Sequence, residues 1–294
     1  MIYAFIDRCC ADLPVGQCCA TMRVSRSAFY AWRHHQANPT ARMLADVELS
    51  ELVVKIHDAS FGTYGAPRVT AELRLGLGRR VNHKRVERLM RERGLQGITR
   101  RRRATGCTRR RVGDPRRDDL VKRQFRPDRP DRLWVQDVTQ HRSAEGWVYL
   151  AVVIDAWSRR VVGWSIADHL RAELVVDAID MATMRRGQQR PHGTVAHSDY
   201  GSQYCSWVFG QRLRAAGLMG SMGTVGDALD NAVADSFFAS LQCELLDRHH
   251  WPTRAGLARA MFHWIEAFYN PLRRHSTIGY LSPVDYETAA TSAA

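Results

Sequence analysis

The 294-residue chain reads as an α/β protein with an all-α region in front of it. Three observations carry that reading. Apolar residues recur at helical spacing up to Gly94, and from Leu133 the pattern switches to strand-like alternation and short apolar runs separated by helical stretches. Between the two parts lies a block rich in Arg and Lys, with too few apolar residues to build a core.

Composition narrows the class. At 45% hydrophobic and 25% charged residues the chain is ordinary for a soluble globular protein. The longest apolar run, Trp147 to Ile154, has eight residues, too short to cross a bilayer. The N-terminus lacks the basic start, apolar stretch and cleavage site of a secretory signal, so the expected location is the cytoplasm, with no membrane partner. The seven cysteines are odd in number and form no CxxC; Cys9-Cys10 and Cys18-Cys19 read as small buried side chains.

Charge is more telling. The chain carries +13 with a pI near 9.9. Residues 79–126 hold 19 Lys and Arg against 5 Asp and Glu, a net of +14, while residues 1–78 come to +1 and 127–294 to −2. A solvated face normally mixes both signs. This one-signed block, with Arg100, Arg101, Arg102, Arg103, Arg109, Arg110 and Arg111, implies phosphates and therefore DNA as partner.

The elements follow in order. Residues 1–38 form a short helix-turn-helix segment: a helix from Pro14 to about Met22, then one capped by Ser25 or Ser27 and carrying Phe29, Tyr30 and Trp32. Residues 40–97 form a second helical DNA-binding domain. Its first helix, Ala41 to Ala59, places Leu44, Val47, Leu52, Val53 and Ile56 near helical spacing. A helix starts at Pro67, and Asn82 caps the next, with Val86, Leu89 and Met90 inward, Lys84, Arg85, Arg88 and Arg91 outward, and Gly94 as its stop. A basic helix after a short turn is suited to the major groove. Residues 98–128 read as an Arg-rich linker.

The α/β part, residues 129–246, shows strands at Leu133 to Thr139, Trp147 to Ile154 and Arg160 to Ala167, then a helix at Ala172 to Met184. A strand to His197, a helix at Trp207 to Ala216, a strand at Leu218 to Met222 and a helix at Leu229 to Leu246 complete it. Three strands in a meander followed by alternating helices and strands is the order of a ribonuclease-H-like fold. A C-terminal helix, Trp251 to Tyr269, and a tail to residue 294 pack on that core.

Asp137 lies on the first strand, Asp199 at the end of the fourth, and Asp235 on a helix with 35 residues between it and Asp199. Carboxylates at strand ends are where α/β proteins place metals or reacting groups. Three converging acids suit a pair of Mg²⁺ (or Mn²⁺) ions for phosphoryl transfer, with no protein nucleophile required. Asp155 and Asp177 read as structural acids.

The chain resembles the insertion-sequence transposases of the IS three family, in their orfB-type catalytic protein. The carrying stretches are Val24 to Ser27, Tyr64-Gly65-Ala66-Pro67-Arg68-Val69, Arg85 to Met90, Trp134 to Thr139, Gly146 to Asp155 and Ser158 to Trp164. They continue with His197-Ser198-Asp199, Gly201-Ser202-Gln203-Tyr204, Ser221-Met222, Asp230-Asn231-Ala232 and Tyr269-Asn270 with Arg273 and His275. The resemblance implies an integrase-like core with the triad Asp137, Asp199 and Asp235, and His197, Gln203, Asn231 and Gln242 supporting the active face. It also implies strand cleavage and transfer at the element's inverted-repeat ends, action on target DNA as a homo-oligomer, and a bacterial host where the protein sits on the nucleoid when DNA-bound. Relatives often join an upstream-frame helix-turn-helix and zipper protein.

Three residues depart from the family pattern. Asp235 stands where the family has Glu, Gln242 where Lys is usual, and Tyr200 where Arg is common. At about 100° per residue, positions 235 and 242 share one helix face, and Glu244 lies on the opposite side. The competing readings are a DNA-binding protein of this fold whose catalysis has decayed, and a ribonuclease-H-like nuclease that does not transpose.

Overall fold

The computed structural model describes residues 2–9, 12–98, 118–121, 124–187, 193–199, 201–223 and 232–292. The Arg tract at 100–103 and 109–111, together with Tyr200 and Asn231, lies outside the described residues.

Three short helices open the chain: α1 (Ile2–Cys9), α2 (Val15–Thr21) and α3 (Arg26–Ala37). α3 starts where expected because the Ser25 hydroxyl accepts from the Ala28 N–H. α1, which the sequence pattern did not announce, closes over the pair through Ile6, with Cys18, Cys19 and Phe29.

The next unit is α4 (Ala41–Ala59), α5 (Ala66–Ala71, extended by a π-helical turn over Glu72–Gly76) and α6 (His83–Glu92). Thr40 caps α4 and Asn82 caps α6. The buried face of α4 is Leu49, Val53 and Ile56, joined by Ser50 and His57. Leu44 and Val47, expected to face inward, are 57% and 54% exposed. Helical periodicity could not distinguish the two turns because apolar residues occupy both.

The sheet has the order β3-β2-β1-β4-β5. β1 (Leu133–Ser143), β2 (Gly146–Asp155) and β3 (Val161–Ala167) form an antiparallel meander, and β4 (Val195–Ser198) and β5 (Met219–Met222) join β1 in parallel. That mixed order is the ribonuclease-H-like arrangement. α7 (Ala172–Arg186) and α8 (Trp207–Ala215) cover one face, over Trp134, Ala151, Val153 and Ala196. Gly163 on β3 lets α7 come close, since a Cβ there would stand 2.1 Å from the Ala178 carbonyl oxygen.

α9 (Ala232–Glu244) and α10 (Arg254–His263, continued by a π-helical stretch over Trp264–Tyr269) cover the other face, and α11 (Pro283–Ser292) ends the chain. On this side Leu133, Val135, Leu150 and Val152 share one apolar cluster with Val233, Phe237 and Leu241 of α9 and with Leu49, Val53, Val69 and Val86 of the helical unit. The two parts therefore pack on each other. Tyr64 accepts from the Arg274 N–H at 2.7 Å, and Arg274 pairs with Glu72 at 2.6 Å. Part of the stretch expected as linker also lies on the core: Val121 is buried, the Leu120 N–H donates to Ser221 Oγ at 3.0 Å, and Phe125 meets the His197 ring.

Candidate active site

The parallel pairing of β1 and β4 matches Val135 with His197 and Gln136 with Ser198. One step further along that register stand Asp137 and Asp199. Strand alternation sends Val135 and Asp137 to the same face, the face covered by α9. Asp235 sits in the first turn of α9, whose Val233, Ala234 and Phe237 hold the helix against the sheet. An acid in a first turn is also favoured by the helix dipole, so its position alone assigns no role.

Electrostatics ties the three together. Burial pushes the Asp137 carboxyl well above the usual carboxylate range, and the charge of Asp199, then Asp235, adds to that; its one local compensation is the Val138 N–H. Asp199 is raised by burial and by Asp235, against a hydrogen bond from the Gly201 N–H. Burial raises Asp235 as well. Among the described residues, the charged groups acting on Asp137 and Asp199 are acids, and no basic side chain pairs with any of the three. Nor does any set of three His, Cys, Asp or Glu side chains among the described residues enclose a metal-sized space unaided.

Around this pair the motif residues sort themselves. A Cβ built on Gly201 would lie 3.1 Å from Gln203 Oε1 and 3.3 Å from Asp199 Oδ1, so both oxygens crowd the Gly201 backbone. Tyr204, buried, has its phenol pushed well above its ordinary range by burial and then by Asp137 and Asp199. The sequence reading gave Tyr204 no role, although it ends the motif that begins at His197. His197 is buried beside these acids, with Nδ1 3.0 Å from Ser221 Oγ. Gln242 donates instead to Asp247 in the turn after α9.

Glu244, on the far side of α9, is a buried anchor. Arg273 donates to both of its oxygens at 2.6 and 2.8 Å, and Arg68 approaches at 3.4 Å. Asn270 likewise locks the start of β3, accepting from the Val161 N–H and donating to the Val161 carbonyl. Asp155 is structural as expected: it accepts from the N–H groups of Asp131, Trp157 and Ser158, while burial raises it to about 6.

The basic face of α6 is partly spoken for. Arg85 and Arg88 both donate to Asp46 at 2.6 Å, and Arg88 also reaches Glu92. Lys84, in the first turn of α6, is exposed and has no carboxylate partner among the described residues.

Comparison with known proteins agrees with this architecture. The family described as an HTH-like domain matches residues 45–103, and families described as integrase core domains match 127–228 and 216–283. The transposase InsF for insertion sequence IS3A of Escherichia coli (strain K12) is 37% identical, with 98% of each chain covered. The transposase for insertion sequence element IS629 of Shigella sonnei is 35% identical over 97% of this chain and 95% of its own. Among solved structures, the HTLV-2 integrase catalytic core domain in complex with magnesium (trimeric form) is 18% identical with a TM-score of 0.41, covering 55% of this chain and 99% of its own. A simian T-cell lymphotropic virus intasome with PP2A regulatory subunit B56 gamma is 14% identical with a TM-score of 0.46, covering 80% of this chain and 74% of that one. With a full-length relative at this identity, the chain belongs to the IS3 family of insertion-sequence transposases.

Proposed function

We propose that the chain is a polynucleotidyl transferase that cleaves and rejoins DNA strands at the inverted-repeat ends of an insertion element, using Asp137, Asp199 and Asp235. One observation carries this reading. Three carboxylates from a strand, a strand end and a helix are each raised by burial, Asp137 also by the charges of Asp199 and Asp235 and Asp199 by that of Asp235, with no cation from the described residues to balance them. Such a cluster is costly unless a cation completes it. The donors are all oxygen, which suits Mg²⁺ or Mn²⁺.

Asp137 and Asp199 would hold such ions from adjacent strand positions, with Asp235 as third ligand. Two bound ions would supply charge stabilisation at the attacking and leaving oxygens of the phosphodiester. The chain's own part is positional. Val138 N–H fixes the Asp137 carboxylate, Gly201 N–H fixes Asp199, and the charge of both acids reaches the buried Tyr204 phenol. Asp235 is one methylene shorter than Glu, about 1.5 Å of reach. A 1 Å misplacement can cost about 100-fold, so this is the weak point of the site.

Lys84, Arg85, Arg88 and the Arg tract would carry the duplex, with Arg85 and Arg88 exchanging Asp46 for phosphate on binding. The enzyme would act as a homo-oligomer on terminal-repeat and target DNA. The experiment is cleavage and joining of labelled terminal-repeat DNA with Mg²⁺ and with Mn²⁺. Activity lost in Asp137→Asn and in Asp199→Asn supports the reading. A wild type inert with both metals, beside an active Asp235→Glu, would instead mean a decayed enzyme that only binds.

A further inference from the structure

The α1–α3 module carries a basic face that the near-neutral sum of residues 1–78 conceals. From Leu13 to Ala45 the chain has Arg23, Arg26, Arg33 and Arg42 and no Asp or Glu; the nearby acids are Asp7, Asp12 and those from Asp46 onward. α3 itself, 12 residues long, contains two Arg, two His and no acid. Its inner face is buried Phe29 with half-buried Trp32, both against the Tyr3 ring. At about 100° per residue, Arg26, Tyr30, Arg33 and His34 fall on the opposite face, and all four are exposed.

α2 and α3 are joined through Met22, Arg23, Val24 and Ser25. The join is a Schellman turn: the Arg23 N–H donates to the Ala20 carbonyl at 3.1 Å and the Val24 N–H to the Cys19 carbonyl at 2.9 Å. Such a turn needs a left-handed residue, usually glycine, and here that residue is Arg23 at φ +54°. Two short helices meeting at a tight turn over their own small core are the parts by which a helix-turn-helix sets its second helix in the major groove. That core, Ile6, Cys18, Cys19 and Phe29, is separate from the cluster joining α4, α5 and α6 to the sheet.

The other basic helix, α6, is more fully neutralised. Its Arg85, Arg88 and Arg91 all pair with carboxylates, those of Asp46, Glu92 and Glu87. On α3, among the described residues, only Arg33 meets one, in a surface pair with Asp7 at 3.4 Å. Arg26 lies 5.7 Å over the exposed Tyr30 ring, a stack that holds its guanidinium at the surface without neutralising it. The face offers guanidiniums and a phenol and no large aliphatic side chain, which suits base edges and phosphates better than an apolar protein interface. We propose that α3 is a second DNA-reading helix, seated in the major groove with Arg26 on a base edge and Arg23 and Arg33 on flanking phosphates. The acceptors that match Arg26 are O6 and N7 of a guanine. The proposal rests on the DNA-acting function above and adds to it a reading site apart from α6 and from the carboxylates.

The test measures affinity of the full chain for a terminal-repeat duplex and for an unrelated duplex, over a range of salt and without divalent metal. Arg26→Ala is expected to bind the terminal repeat about tenfold more weakly and the unrelated duplex almost as before. Arg23→Gly keeps the left-handed turn and removes the guanidinium. It is expected to weaken binding to both duplexes, with a salt slope shallower by about 0.9, while the melting temperature stays equal or rises. Glycine suits that backbone better than Arg, so a purely structural Arg23 would show no loss of binding here. Unchanged affinity and slope in both variants would overturn the proposal. So would equal losses on the two duplexes in Arg26→Ala, which would leave α3 on phosphates alone. A change in oligomer mass with DNA binding intact would also overturn it, making α3 a contact between copies. Binding needs no cleavage, so a chain that cuts DNA while both variants bind like wild type defeats only the reading helix. A chain that never cuts, yet loses its preference for the terminal repeat in Arg26→Ala, defeats only the catalytic reading.

Discussion

Asp137 and Asp199 stand side by side because the parallel β1–β4 register, Val135 with His197 and Gln136 with Ser198, runs one step further. Neither gains a cation from the described fold, and burial raises both. Acids of this kind weaken the fold they serve. Asp137→Asn and Asp199→Asn are therefore each expected to cut strand cleavage by about 100-fold or more while leaving the melting temperature equal or higher. A lower melting temperature in both would identify them as structural acids.

Lengthening Asp235 by one methylene moves its carboxylate towards the pair. Asp235→Glu is expected to raise cleavage above wild type, by up to about 100-fold, and Asp235→Ala to abolish it. Rates with Mg²⁺ and Mn²⁺ check this; an Asp235→Glu that is slower with both metals refutes the reach argument.

Glu244 and Arg273 have side chains 5% and 3% exposed. Removing one partner strands the other charge. Glu244→Ala is expected to lose about 3–5 kcal/mol of stability, whereas replacing both with Met is expected to recover much of it. Denaturant unfolding of Glu244→Ala and of the double variant measures the difference.

Asp155 titrates near 6 in the folded chain and near 3.8 unfolded. Between those values the folded state holds a proton that the unfolded state has released, so stability falls as pH rises from about 4 to 6. The penalty is fully present above that window and relieved below it, on the order of 3 kcal/mol. Asp155→Asn has no such proton. The variant should gain on the wild type as pH is raised through the window, and parallel stability curves would refute this.

Asp46 holds Arg85 and Arg88 at 2.6 Å. Asp46→Asn releases Arg85 and leaves Arg88 with Glu92, and its DNA affinity is expected to rise with a steeper salt slope. An unchanged slope would leave the outer face of α6 without phosphate contacts.

The order of strands and helices was legible because each element carries its own period. Trp147 to Ile154 is apolar throughout and Ala172 to Met184 repeats at helical spacing; both form within two residues of the expected bounds. Asp137 and Asp199 were legible because position along paired strands is itself a contact. What could not be read was pairing between distant segments. Glu244 was seen to face away from the site, but its partner is 29 residues further on in a loop. α1 escaped notice because a single helical repeat on eight residues is weak until something covers it.

Tyr64, Arg68 and Glu72 fasten the helical unit to Leu272, Glu244 and Arg274 of the core. The fastening works as a ruler. Under the proposed function, a duplex seated on α6 would meet the carboxylates at an offset set by protein packing, not by a swinging tether. The number of base pairs between the position recognised and the position cut would then be a constant of the fold. A spacer of one or two base pairs inserted between them would move the cut by the same count and leave its distance from the bound helix unaltered.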